Sequence, residues 1–145
     1  MARHRAALGA IALLVAASGA APTTRLRVCA GSSCSGRCVG AFEPVRAFEA
    51  VANAPCSRCA DVELETVHCM NMCKRGPNVR LIHAGELATV PAEMGEVERT
   101  RRAFQGVLDD ERVLRVWSLA ACAAAGTLGD GLVLHGPPPD EALTG

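Results

Sequence analysis

The sequence contains no tyrosine, three phenylalanines and a single tryptophan. Half of its residues are apolar, so a core can form, but it has to be built from aliphatic and small side chains. Neither sign of charge is in excess: Lys+Arg and Asp+Glu number 15 each. The arginines are scattered along the chain, whereas a nucleic-acid binder gathers its cations on one face or stretch. The apolar run at residues 6–17 falls short of the roughly 20 residues that a membrane-spanning helix needs. A dinucleotide site would place G-x-G-x-x-G in the turn after the first strand; Cys29, Ala30 and Gly31 stand there instead. Ser32 and Ser33 lie beside cysteines, but no Ser-His-Asp order accompanies them. These absences remove the usual nucleophile–base sets and the phosphate-binding loops, and there is no internal repeat.

What the chain does have is cysteine, eight in 145 residues, about one domain's length. That number calls for an oxidising compartment or for a bound group. Cys29 and Cys34 are spaced C-x4-C, Cys69 and Cys73 C-x3-C. Three readings compete for these thiols: a metal or iron–sulfur cluster, a set of disulfides, or a redox-active pair. The amino terminus bears on the choice. Arg3, His4 and Arg5 precede the apolar run, and Ser18-Gly19-Ala20 follows it. A charged start, about twelve apolar residues and a small-residue cleavage site read as a signal peptide over residues 1–20.

Hydrophobic periodicity sets out an α/β layered domain. RLRV (25–28) alternates with Leu26 and Val28 on one face, as a half-buried strand does. Phe42, Val45, Phe48 and Val51 form a helical stripe, with Pro44 tolerated in the first turn. VELETV (62–67) is a second alternating strand. NVRLI (78–82) and ELATV (86–90) flank His83-Ala84-Gly85 as a hairpin. Met94, Val97, Phe104, Val107 and Leu108 predict one more amphipathic helix, interrupted by Arg101. Residues 109–125 carry Val113, Leu114, Val116 and Trp117 and read as a helical extension. From Gly126 onward, with Pro137-Pro138-Pro139, a loose tail is expected. Cys29, Cys34, Cys69 and Cys73 fall in the two loops that leave the first and second strands, which can face each other.

Four thiolates on two loops are what a [2Fe–2S] cluster requires, two sulfurs per iron. Structural zinc favours C-x2-C knuckles. Plant-type ferredoxins use C-x4-C-x2-C, and the C-x3-C from Cys34 to Cys38 is one residue too long. The sequence C-x3-C followed by KRGPNVRL, together with the earlier C-x4-C, resembles the thioredoxin-like [2Fe–2S] ferredoxins. These are related to the cluster-bearing small subunit of NADH:quinone oxidoreductases. That family runs strand, C-x4-12-C, helix, strand, C-x3-C, then Gly-Pro or a similar pair before an apolar strand. The resemblance covers residues 25–108, with residues 109–145 as an extension and tail. It implies a thioredoxin-like fold and one [2Fe–2S] cluster on Cys29, Cys34, Cys69 and Cys73. It implies redox proteins as partners; with no nucleophile–base set on the chain, an electron carrier rather than an enzyme is expected, with neither nucleic acid nor, after leader cleavage, membrane among its partners and a homodimer left open. Pro77 matches the loop proline beside the active site of thioredoxin folds. X–Pro bonds are mostly trans, and the sequence leaves this isomer open.

Other candidates receive plainer readings. Cys38, one helical turn past Cys34, is read as a buried thiol rather than a spare ligand, and Cys122 as a buried thiol. Cys56 and Cys59 form a CxxC, but it follows a helix and precedes a strand. A reactive pair wants a helix N-terminus, so a loop disulfide or free thiols fit better. His68 has no matching histidine in His83 or His135 for a Rieske-type set and is read as satisfied or exposed. Lys74 and Arg75 either offset cluster charge or form a solvated turn. The rivals to the electron carrier are a secreted, disulfide-stapled binding module and a thiol–disulfide oxidoreductase using Cys56 and Cys59. Leader and cluster are reconciled in algae whose plastids lie inside extra membranes. ASGAAP (17–22) is similar to the cleavage motif of their plastid leaders, although Ala21 stands where those have an aromatic. The expected location is the plastid, with secretion as the alternative.

Overall fold

The computed structural model describes residues 20–38, 40–57, 60–141 and 143. Cys59 and all but the last residue of the leader lie outside the described residues. The chain forms a mixed α/β layer. Its strands are β1 (Thr24–Cys29), β2 (Val62–Val67), β3 (Val79–His83), β4 (Glu86–Thr89) and β5 (Val133–Leu134). Their order in the sheet is β2-β1-β3-β4-β5, with β1 and β2 parallel and the remaining pairs antiparallel. The helices are α1 (Ser32–Ser35), α2 (Pro44–Asn53), α3 (Glu96–Arg101) and α4 (Asp110–Ala124). Among the described residues no helix is long and apolar enough to cross a membrane.

Helices α2 and α4 cover one face of the sheet. Pro44 opens α2, where a missing N–H costs nothing. Pro55 disfavours helical backbone at the residue before it, and Ala54 is accordingly extended at the C-cap. Phe48, fully buried on α2, packs with Leu26 and Val28 of β1 and with Val79 and Leu81 of β3. Phe42 lies just ahead of the helix, yet it packs against the same core. The side chain of Asp109 caps α4 by accepting from the Arg112 N–H at 2.8 Å. Val113, Val116, Trp117, Ala120 and Ala123 then recur on one face and join that same core, while Leu114 is half exposed. The extension over residues 109–125 is thus one wall of the core.

Three expectations need correction. The helix expected from Met94 to Leu108 stops at Arg102, whose φ of 54° leaves the helix. The chain then returns beside β3: Phe104 and Val79 exchange backbone hydrogen bonds at 2.8 and 2.9 Å. Burial of Phe104 satisfies a strand pairing there, not a helical stripe. Gly126 onward is not loose. Val133–Leu134 pairs with β4, Leu143 bridges Val67, and Glu141 reaches two arginines.

Those arginines correct the third expectation, that β1 is half-buried. Alternation puts Arg25, Arg27 and Arg80 on the face opposite the helices, yet Arg27 and Arg80 are each only 8 % exposed. The register sets Arg25 against Glu63 and Arg27 against Glu65 on β2, and both arginines pair with Glu65. On the other side Arg27 faces Arg80, two like charges directly opposite, which is destabilising by itself. Glu141 of the tail supplies the missing anion, one carboxylate oxygen to Arg27 and the other to Arg80.

Candidate metal centre

Parallel pairing of β1 and β2 brings their C-terminal ends together, with Cys29 in register with Val67. The two cysteine loops leave from the same end of the sheet. After Cys29 the Ala30 N–H donates to Val67 O at 2.7 Å, which ties the first loop to the second. The chain then makes the one-turn helix α1, placing Cys34 inward and 1 % exposed. After β2 the second loop carries Cys69, and a 3-10 turn, Cys73–Arg75, carries Cys73. Cys29, Cys34, Val67 and Met70 form a small apolar cluster of their own, with Cys73 and Met72 against it.

Cys29, Cys34 and Cys73 meet in that cluster, and Cys69 joins them through Cys73, with Sγ–Sγ 3.7 Å. Burial first, then the two neighbouring thiols, push the Cys34 thiol up to about 12. Contact with Cys69 and then burial raise Cys73 as well. Thiols held this way are neutral at pH 7 and resist ionising together. Metal ligation requires the thiolate, so loading would release protons, and a cationic group is what offsets four negative sulfurs in so small a volume.

The Cys69–Cys73 pair has a spacing that such a group would fit. A tetrahedral centre with metal–sulfur bonds of about 2.3 Å sets its thiolates about 3.8 Å apart, and the Cys69–Cys73 separation of 3.7 Å matches that edge. Among the described residues no three His, Cys, Asp or Glu side chains form a ready site for a single ion. A two-iron cluster asks for something else, two protein sulfurs on each iron. Two N–H donors already point at sulfur: Asn71 N to Cys69 Sγ at 3.3 Å, and the Asn78 side-chain amide to Cys34 Sγ at 3.8 Å. Hydrogen bonds of this kind orient ligands and tune a bound metal.

Asn78 escaped the sequence reading, which placed it at the start of a strand. It is fully buried and holds the second loop by donating to Met72 O at 3.0 Å. Two glycines escaped it too, since their role is to stay out of the way. A Cβ on Gly76 would stand 2.5 Å from Cys34 Sγ, and one on Gly31 would stand 2.6 Å from His68 O. Both are below any normal contact. Gly76→Ala is expected to destabilise the protein by about 1–3 kcal/mol, the usual cost of overpacking a tight site. Thermal unfolding checks this; a variant with full stability would show that Cys34 has room the packing denies it. The Gly76–Pro77 bond, left open by the sequence, is cis.

The remaining candidates separate from the four. Cys38 is half-buried rather than buried, its thiol raised by burial, and it reaches Cys34 O at 3.9 Å. Cys122 is also half-buried rather than buried, and Cys56 is exposed. All seven described cysteines are free thiols. His68 is exposed, and His83 and His135 are taken up by Thr24 and Thr89 at 2.8 and 2.7 Å. Lys74 and Arg75 are exposed. Compared with family models, curated proteins and solved structures, the chain finds no match.

Proposed function

We propose that this protein is a small electron carrier of thioredoxin-like fold that holds one [2Fe–2S] cluster on Cys29, Cys34, Cys69 and Cys73. One observation carries the reading. Cys29 and Cys34 share one small apolar cluster with Cys73 packed against it, and Cys69 Sγ lies 3.7 Å from Cys73 Sγ, so the four thiols gather at one end of the sheet. The order β1, Cys29–Cys34, α2, β2, Cys69–Cys73, Gly76-Pro77, β3 follows the pattern of the family the sequence resembles, and this supports the thioredoxin-like assignment.

A bound cluster supplies a one-electron couple; the chain supplies its setting. Cys29 and Cys34 present buried sulfurs, and Val67 and Met70 exclude water beside them. Asn71 and Asn78 donate N–H groups to sulfur. Cys69 and Cys73 lie nearer solvent, on the side from which an electron would enter or leave. The test is the visible spectrum of protein purified anaerobically. A red-brown protein with two irons and two inorganic sulfides per chain is expected; a colourless one retaining all its thiols would overturn the proposal.

Lys74 and Arg75 directly follow Cys73 and offset the negative charge that grows on reduction. Replacing both by Gln is expected to lower the reduction potential by an amount on the order of tens of millivolts, since solvent and salt screen exposed charge. Protein-film voltammetry reads the shift, and an unchanged potential would return the pair to a solvated turn. For location we propose the plastid, reached by the secretory route that residues 1–20 would open. Residues 1–27 fused to a fluorescent protein should light the plastid of such an alga; signal only in the medium or endoplasmic reticulum would favour the secreted module.

A further inference from the structure

The charges of this chain are balanced in number but not in space. Arg25, Arg27, Arg46, Arg80, Arg112 and Arg115 are all paired with carboxylates. Among the described residues the cations left without an ion-pair partner are Arg37, Lys74, Arg75, Arg99, Arg101 and Arg102, every one of them exposed. They come from three places in the sequence: the turn after α1, the 3-10 turn after Cys73, and the end of α3. The fold draws these together, because the segment following α3 is fastened to the ligand loop. Gly106 N donates to Arg75 O at 2.8 Å and Val107 N to Pro77 O at 3.1 Å.

Between the ligand loop and α3 runs a groove of about 510 Å³. Lys74, Arg75 and Arg101 line it, with Cys73 in its wall and Met72 and Val97 as its apolar part. Arg75 also belongs to a neighbouring groove, shared with Arg37 on the far side of Gly76. Of the carboxylates there, Glu98 is committed to Arg112, and Glu96 is left without an ion-pair partner. We infer that the groove beside Cys73 is the docking surface for an acidic patch on a protein redox partner. The inference rests on the electron-carrier reading for the nature of the partner, but the surface stands on its own charges. Three unneutralised cations focus a positive field at the point where a ligand sulfur reaches the surface. Such a field speeds encounter with an acidic partner and orients it, and Met72 and Val97 give the docked partner apolar contact. A single-stranded nucleic acid would want exposed aromatic rings for stacking. Here Phe48, Phe104 and Trp117 are buried in the core, and Phe42 packs against it.

Two measurements test the surface. The first is binding of fluorescein-labelled decaglutamate to the full chain at low salt, followed by anisotropy. The triple variant Lys74→Gln/Arg75→Gln/Arg101→Gln should weaken binding by about tenfold or more, whereas Arg46→Gln should leave it unchanged. Equal binding by the triple variant overturns the inference, and so does tighter binding of a ten-residue oligothymidylate than of the peptide. The second uses the coloured holoprotein, reduced and then mixed with ferricyanide or with hexaamminecobalt(III). Raising salt should slow the anionic oxidant by about tenfold and not slow the cationic one; no difference between the two overturns the inference. A colourless protein that binds the peptide in this groove would retire the electron carrier and leave the docking surface standing. A coloured protein indifferent to the triple variant would do the reverse.

Discussion

Cys69→Ser and Cys73→Ser are each expected to yield protein without the visible absorbance of a [2Fe–2S] centre, and Cys29→Ser and Cys34→Ser the same. The expected loss is nearly complete. Each iron of such a cluster takes two protein sulfurs, so one missing thiolate leaves an iron short of ligands. Among the described residues no other cysteine stands ready as a substitute: Cys38 points to the Cys34 carbonyl, and Cys56 and Cys122 lie outside the cluster. Cys38→Ser, Cys56→Ser, Cys59→Ser and Cys122→Ser should keep the full spectrum. Absorbance and iron per chain, measured anaerobically across all eight variants, decide the matter. A normal spectrum in Cys69→Ser would sink the ligand assignment.

Glu141→Ala is expected to cost about 3 kcal/mol, the scale on which removing one partner of a buried ion pair destabilises a protein. For a domain of this size that corresponds to a fall in Tm on the order of 10 °C. The size of the effect comes from what remains. Arg27 and Arg80 stay buried and opposite one another, with Arg27 keeping Glu65 and Arg80 losing its ion-pair partner. Arg80→Met/Glu141→Leu removes the demand along with the supply and should recover much of the loss, as apolar replacements of buried pairs do. Thermal unfolding of the single and double variants provides the test. A Glu141→Ala protein that melts with the parent would show that the tail contributes no charge to the sheet.

The two predictions draw on parts of the chain that were unequally legible. The span of β2 could be read from VELETV because Val62 and Leu64 alternate with Glu63 and Glu65. The end shared by the four cysteines followed from two strands each leading into a cysteine loop, and their parallel pairing made it so. The burial of Arg27 could not be read, since a charged residue in an alternating strand signals water, and what covers it lies more than a hundred residues away in sequence. The break at Arg102 was hidden for a related reason: no Gly or Pro marks it, and Phe104 keeps a helical spacing with Val97 and Val107 while serving a strand pairing. Val133–Leu134 is a two-residue strand in a Gly- and Pro-rich stretch, too short for any period to reveal. Within the site, the thiols were visible by spacing. Asn78, Gly31 and Gly76 act through contact alone, and contact has no sequence signature.

The closeness of Cys69 and Cys73 sets a race. Two free sulfurs 3.7 Å apart need only close to about 2.05 Å and lose two electrons to become a disulfide. Both are half-buried rather than sealed in, so a small oxidant can reach them while Cys34 stays shut away beneath. The proximity that would suit this pair to the proposed iron also prepares it for oxidation, and whichever arrived first would take the site. A folded chain that meets an oxidising lumen empty-handed is diverted to a disulfide that no longer accepts metal. A chain kept unfolded until it reaches a reducing, iron-supplied compartment has no such pair to lose. On the proposed reading, the timing of folding relative to delivery would decide whether the site is filled.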